Sequence, residues 1–318
     1  MAQTAASRVR VLPLAAMALA ALLAAQAAHE AFGLGGGELD TFFDKGVHNF
    51  LISAAAAACL ARAWITNRGR AAWTMVGLSL VSFAIGDILS TTLYTSKAEE
   101  SAATIADVFW LAYYPFVVAG LVFLIHDRIE GFDLHRWIDG IAAGLIVVTF
   151  GVSLFVEPVF QKSRDASTVG GVIQFAYPIC DVMLLGATIG IFALTAWRPG
   201  KAWLLLGLGL FLFAGADSVA AVQAVEGTFQ AGKYDFVWSG GALLIAWAAW
   251  MPYPARQRPV LLRGWKAVAL PITCQVLAGA VQITALFHHV PRSERVLTVL
   301  VLALVIAQLW ISRPRVPE

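Results

Sequence analysis

Apolar residues run in long unbroken stretches separated by short clusters of charge, Gly and Pro. Ten such stretches stand at approximately 10–29, 47–66, 71–95, 104–126, 137–157, 170–197, 201–224, 235–252, 266–287 and 294–312. A bilayer core takes about 20 apolar residues as a helix. None of the stretches shows the dyad alternation of a membrane barrel strand, and their Leu, Ala, Val, Phe and Gly content suits helices packed closely in lipid. The pattern predicts an all-α, polytopic membrane helix bundle of about ten spans, with residues 1–318 forming a single integral membrane domain.

Composition agrees. Of the 318 residues, 59% are apolar and 13% charged, against about 45–50% and about 25% in soluble domains. This excludes a soluble enzyme built on one large core. The apolar content and a formal net charge of only +2 exclude disorder. With no basic or acidic block, a nucleic-acid partner is not expected. Cys59, Cys180 and Cys274 fall inside apolar stretches, so a disulfide framework is not expected either.

The distribution of charge sets an orientation. With the N-terminus in the cytoplasm, 15 of the 22 basic residues fall on the inner side, and 12 of the 20 acids fall outside against 5 inside. The positive-inside rule then predicts a multi-pass cell-membrane protein with both termini cytoplasmic. The first stretch, with Arg8 and Arg10 ahead of an apolar run ending near Ala-Gln-Ala-Ala, also resembles a signal peptide, whose removal would leave nine spans.

An internal repeat is visible. Residues 77–88 (GLSLVSFAIGDI) match 207–218 (GLGLFLFAGADS) with six identities in twelve. Asp87 pairs with Asp217 and Trp73 with Trp203, both 130 apart; Asp107 pairs with Asp235 and Trp110 with Trp238, both 128 apart. Trp137 and Trp265 share that last interval, and Trp64, Trp197 and Trp310 each end a span on the cytoplasmic side. An aromatic belt explains interfacial Trp singly, but not intervals shared with Asp. The repeat predicts a four-helix unit over about 10–126, a second over about 137–252 and a half unit over about 266–312. Because each unit has an even number of spans, the copies run parallel, an arrangement that places ligand sites between them.

Three acids, Asp87, Asp181 and Asp217, lie inside spans, where an ionised Asp costs ~2.5–3.5 kcal/mol on insertion scales. Asp107 and Asp235 begin spans at the outer surface. His48 opens span two, at the place corresponding to Asp181 when Trp64 and Trp197 are aligned. Asp107, Trp110 and Tyr114 share one helix face by their i, i+3, i+7 spacing. Tyr177 precedes Asp181 by one turn, with Pro178 between them loosening the backbone. Together with Trp238, these residues are the candidate ligand site, an outward-facing pocket lined by acids and aromatics for a cation, an amine or a polar small molecule. A packing role, with the acids protonated or bonded to neighbouring helices, would explain each Asp singly.

Catalytic chemistry is not indicated. No Lys lies in mid-span for a retinal Schiff base, the His residues lie in loops or at span ends, and no His-Glu-x-x-His, P-loop or Gly-x-Ser-x-Gly pattern occurs. The reading is therefore not an enzyme, with no metal site and no cofactor identified. His288 and His289 read as a solvated loop, and Gly35-Gly36-Gly37-Glu38 as a flexible turn.

The segments Phe83-Ala84-Ile85-Gly86-Asp87, Ala106–Pro115 (ADVFWLAYYP), Trp137-Ile138-Asp139-Gly140 and Ala176–Asp181 (AYPICD) resemble the multi-span N-terminal sensor regions of bacterial diguanylate cyclases and phosphodiesterases, those of actinobacteria in particular. The likeness covers most of residues 10–312. In that family the last span leads into a cytoplasmic cyclic-di-GMP domain; these 318 residues contain no such catalytic domain. The resemblance implies a bacterial inner-membrane module for signal transduction that binds a small ligand of unknown identity from the outer side and passes the change to a cytosolic output domain or partner. The expected partners are that domain, the lipid bilayer and a second copy of the chain in a homodimer. The rival expectation is a small proton- or cation-coupled transporter or channel with Asp87, Asp181 and Asp217 along its path.

Overall fold

The computed structural model describes residues 2–93, 104–128, 134–152, 168–252 apart from 196, 227 and 229–231, and 292–311, together with short pieces at 272–273, 276–280 and 283. All regular structure among them is helical: α1 (Ala2–Phe32), α2 (His48–Ile65), α3 (Arg70–Leu93), α4 (Ile105–Arg128), α5 (Leu134–Gly151), α6 (Thr168–Leu194), α7 (Lys201–Glu226), α8 (Asp235–Trp250) and α9 (Arg292–Ile311). These correspond in order to the first eight predicted spans and the tenth. The span expected at 266–287 lies largely outside the described residues. Six helical stretches are long and apolar enough to cross a bilayer, namely Leu14–Phe32, Gly37–Ile65, Arg70–Leu93, Ile105–Arg128, Ala176–Leu194 and Lys201–Gln223, which fits a multi-pass membrane protein.

The second span differs from the sequence reading. A 3-10 turn (Gly37–Leu39) and a π-helical stretch (Thr41–Val47) run directly into α2, so the helical segment starts at Gly37, ten residues ahead of the expected start. His48 therefore sits within a continuous helical segment rather than at its opening. The charges Asp44 and Lys45 hid this extension, because a search for apolar runs stops at them.

Six helices close into a ring through consecutive contacts: α2 on α3, α3 on α4, α4 on α6, α6 on α7, α7 on α8, and α8 back on α2. The main core lies within this ring. Its centre is aromatic: Tyr113 of α4 stacks on Phe213 of α7 at 5.3 Å and 11°, and Phe83 of α3 meets Phe213 edge-on at 5.0 Å. Such pairs contribute about 0.5–1.5 kcal/mol each beyond area burial.

Three helices pack outside the ring. α5 lies on α6 and in turn carries α9. The α5–α6 contact is glycine on glycine: a Cβ added to Gly144 would come within 2.7 Å of the Gly186 carbonyl oxygen, and one added to Gly140 within 2.8 Å of that of Gly190. Each helix contributes its pair at a four-residue interval, the small-residue spacing that lets backbones approach closely in lipid, where apolar burial itself provides no driving force between helices. α1 touches α8 and α2, and its C-terminal turns meet the start of α8. There Glu30 accepts the backbone N–H of Phe236 at 2.8 Å and bonds Gln26 at 2.6 Å. The carboxylate thus serves a free N–H in the first turn of α8, a group that no helix can satisfy internally.

Candidate functional site

The polar residues singled out in the sequence converge on the contacts between ring helices. Asp87 on α3 is buried and receives two bonds. Trp110 Nε1 on α4 donates to its Oδ1 at 2.9 Å, and His48 Nε2 on α2 lies 3.2 Å from its Oδ2. His48 Nδ1 faces the hydroxyl of Ser239 on α8 at 3.0 Å. The indole reaches Asp87 because Gly86 has no side chain: a Cβ there would lie 2.5 Å from the Trp110 ring.

In the second set of helices the same donor type meets the same acceptor. Trp238 Nε1 on α8 donates to Asp217 Oδ1 on α7 at 2.6 Å. The two Asp–Trp pairs, 23 and 21 residues apart in sequence, are thus one contact made twice, on α3–α4 and on α7–α8. The residue placed opposite His48 by alignment is Asp181 on α6. It is 1% exposed, and Tyr114 OH of α4 donates to its Oδ1 at 2.6 Å. The same hydroxyl lies 3.4 Å from Asp217 Oδ2. One tyrosine of the first set thus links two carboxylates of the second.

A reciprocal contact completes the α4–α6 interface. Tyr177 OH of α6 donates to Asp107 Oδ1 of α4 at 2.7 Å. Both tyrosines, Tyr114 and Tyr177, immediately precede the proline inside their helix. Asp107 Oδ2 meanwhile accepts the backbone N–H of Thr104 at 2.7 Å and its hydroxyl at 3.0 Å, closing the first turn of α4 in the manner of a capping box.

Nine of the ten residues proposed from sequence therefore fall into three bonded clusters: His48, Asp87 and Trp110; Tyr114, Asp181, Asp217 and Trp238; and Asp107 with Tyr177. Asp235, half-buried at the start of α8, is bonded to none of these side chains but lies within electrostatic reach of His48, Asp87, Glu30 and Asp44.

Sequence reasoning overlooked Ser239, Thr104, Glu30 and Tyr113. Thr104 carried a readable signal in the Thr-x-x-Asp spacing to Asp107. Ser239 and Tyr113 carried only adjacency, each being the neighbour of a chosen aromatic. The bond from Glu30 to α8 spans 206 residues, and nothing local announces it.

Charge is unevenly matched. His48 stands beside Asp87, whereas among the described residues no Lys, Arg or His bonds to Asp181 or Asp217. At the opposite end of the ring Trp73 of α3 and Trp203 of α7, both 3% exposed, line one cavity together with Arg128. Arg128 donates there to the Arg198 carbonyl at 3.2 Å. Comparison with known protein families, curated proteins and solved structures finds no match to this chain.

Proposed function

We propose that this chain is a multi-pass membrane sensory module of two parallel four-helix units, N- and C-termini cytoplasmic, whose outer-half acid and aromatic network binds a small ligand and transmits its occupancy across the bilayer. The observation that carries the reading is the placement of bonds. The Tyr114–Asp181, Tyr114–Asp217, Tyr177–Asp107 and His48–Ser239 contacts all join α2–α4 to α6–α8. A change in occupancy or charge at one carboxylate thus alters the packing between the two sets of helices, and rigid helices carry that change to the cytoplasmic side. The doubled Asp–Trp contact and the closed ring support the parallel repeat. The likeness to sensor regions of diguanylate cyclases and phosphodiesterases supports a cytosolic output, reached by way of the last spans.

A transporter is the second reading, favoured by one observation: the buried Asp181 and half-buried Asp217, bonded to no Lys, Arg or His among the described residues, also suit a proton- or cation-coupled path. Flux through proteoliposomes separates the two. The sensory reading expects no net proton or alkali-ion movement above that of protein-free vesicles. Movement that disappears in Asp181→Asn or Asp217→Asn overturns it in favour of transport.

A further inference from the structure

Two buried polar atoms have no hydrogen-bond partner among the described residues: Asp181 Oδ2, on the carboxyl that Tyr114 bonds, and the hydroxyl of the adjoining Tyr113. Both residues are 1% exposed. Tyr113 lies within electrostatic reach of both Asp181 and Asp217. Nearly all buried polar groups in proteins find a partner, so an orphaned oxygen on Asp181 and another on a tyrosine within electrostatic reach of it call for an occupant. Charge points the same way. The other intramembrane acid, Asp87, has His48 beside it, while the position aligned with His48 is itself an acid, Asp181. The Tyr114 hydroxyl has a single proton to donate and cannot satisfy both carboxylates, and a negative charge left on either is costly in this medium.

We infer that Asp181, Asp217, Tyr113 and Tyr114 form a binding site for one monovalent cation, a proton or an alkali ion, which takes the place in the second helix set that the His48 side chain holds in the first. The occupant is a single positive charge. Among the described residues no group of three or more His, Cys, Asp or Glu converges as a multi-ligand divalent site requires. The oxygens available are the Asp181 and Asp217 carboxylates and the two tyrosine hydroxyls. The titratable groups around them are Asp87 on α3, Asp107 on α4, Tyr177 and Cys180 on α6, with His48 on α2 and Asp235 on α8 beyond. His48 is the one base among these, and it is engaged by Asp87.

This deepens the sensory reading by naming what its centre takes, and it rests on that reading's outer-half site. The test uses the full chain in detergent, with no output domain and no membrane gradient, so its failure is distinct from a positive flux result. The thermal unfolding midpoint is measured in choline, sodium, potassium and lithium chloride at matched ionic strength and fixed pH, and separately in choline across pH. An alkali-ion site raises the midpoint when choline is replaced at fixed pH. A proton site raises it on acidification in choline, with no difference among the salts. In either case Asp181→Asn and Asp217→Asn each flatten the response, because each removes one of the two carboxylates that hold the cation, while Glu38→Gln in the exposed outer turn retains it.

A wild-type midpoint indifferent to both alkali ions and pH overturns the inference, as does a full response in both Asn variants. Should those variants fail to accumulate, Tyr113→Phe removes one oxygen and no charge. It is expected to shift the cation concentration or pH of half-response several-fold, and an unshifted curve overturns the site.

Discussion

The His48–Asp87 pair is the clearest case of a contact whose removal is worse than its absence. Asp87 is 7% exposed and His48 6%, so neither can turn to water. Deleting one partner of a buried pair typically costs about 3–5 kcal/mol, because the other charge is left uncompensated. His48→Ala is therefore expected to lower the stability of the purified protein by that order. Adding Asp87→Asn to it should recover a substantial part, as read in a double-mutant cycle of unfolding midpoints. Additive losses would place the two side chains in independent environments. The sequence made these residues conspicuous by composition alone, since an Asp in an apolar run is costly and a Trp at a shared interval is rare by chance. It could not assign partners: the Tyr114–Asp181 bond joins residues 67 apart, and i, i+3, i+7 spacing says which face a side chain shares but not what that face meets.

Helix packing divides into contacts made by aromatic rings and contacts made by the lack of any side chain. At α5–α6 the backbones meet at Gly140, Gly144, Gly186 and Gly190, and any Cβ would meet a carbonyl oxygen held by its own helix. Gly186→Leu is thus expected to separate α5 from α6, at a cost at or above the about 1–3 kcal/mol of an overpacked core. Loss of cross-linking between cysteines placed on the two helices would report it. Gly215→Ala is the matched control on α7, because a Cβ there meets nothing within 4 Å. At the N-terminal end of α8, Glu30→Ala removes an acceptor for the Phe236 N–H and should cost about 1 kcal/mol, within the range of lost helix caps. Hydrogen exchange at the first turn of α8 should rise in that variant and stay unchanged elsewhere in the helix. Element existence was readable from the apolar runs, and eight of the expected spans, together with the last, coincide with helices. The start of the second segment was not, because its π-helical turn carries Asp44 and Lys45 through a region that a hydropathy reading assigns to loop.

At the scale of the whole molecule, the ring of α2, α3, α4, α6, α7 and α8 gathers the acids toward one end and the buried Trp73 and Trp203 toward the other. Topology reporters follow directly from the proposed orientation: a cysteine at Gly35 should react with an impermeant thiol reagent added outside intact cells, and one at Asn67 only after permeabilisation. The reverse pattern would invert the bundle and turn the acid network toward the cytoplasm. The ring itself was not legible in the sequence. The shared Asp and Trp intervals implied two like units, but the closing contacts α4–α6 and α8–α2 depend on tertiary packing that no interval encodes.

The central claim is that charge at the Asp181–Asp217 pair is coupled to helix positions at the far end of the bundle. Spin labels at Trp64 and Trp197, 85% and 51% exposed near the ends of α2 and α6 away from the network, measure it directly by dipolar distance in nanodiscs. The distance distribution is predicted to differ between sodium-loaded, acidified and choline conditions in the wild-type background, and to be fixed in Asp181→Asn. A distribution that is the same under all three conditions, or that moves equally in the variant, would contradict the account.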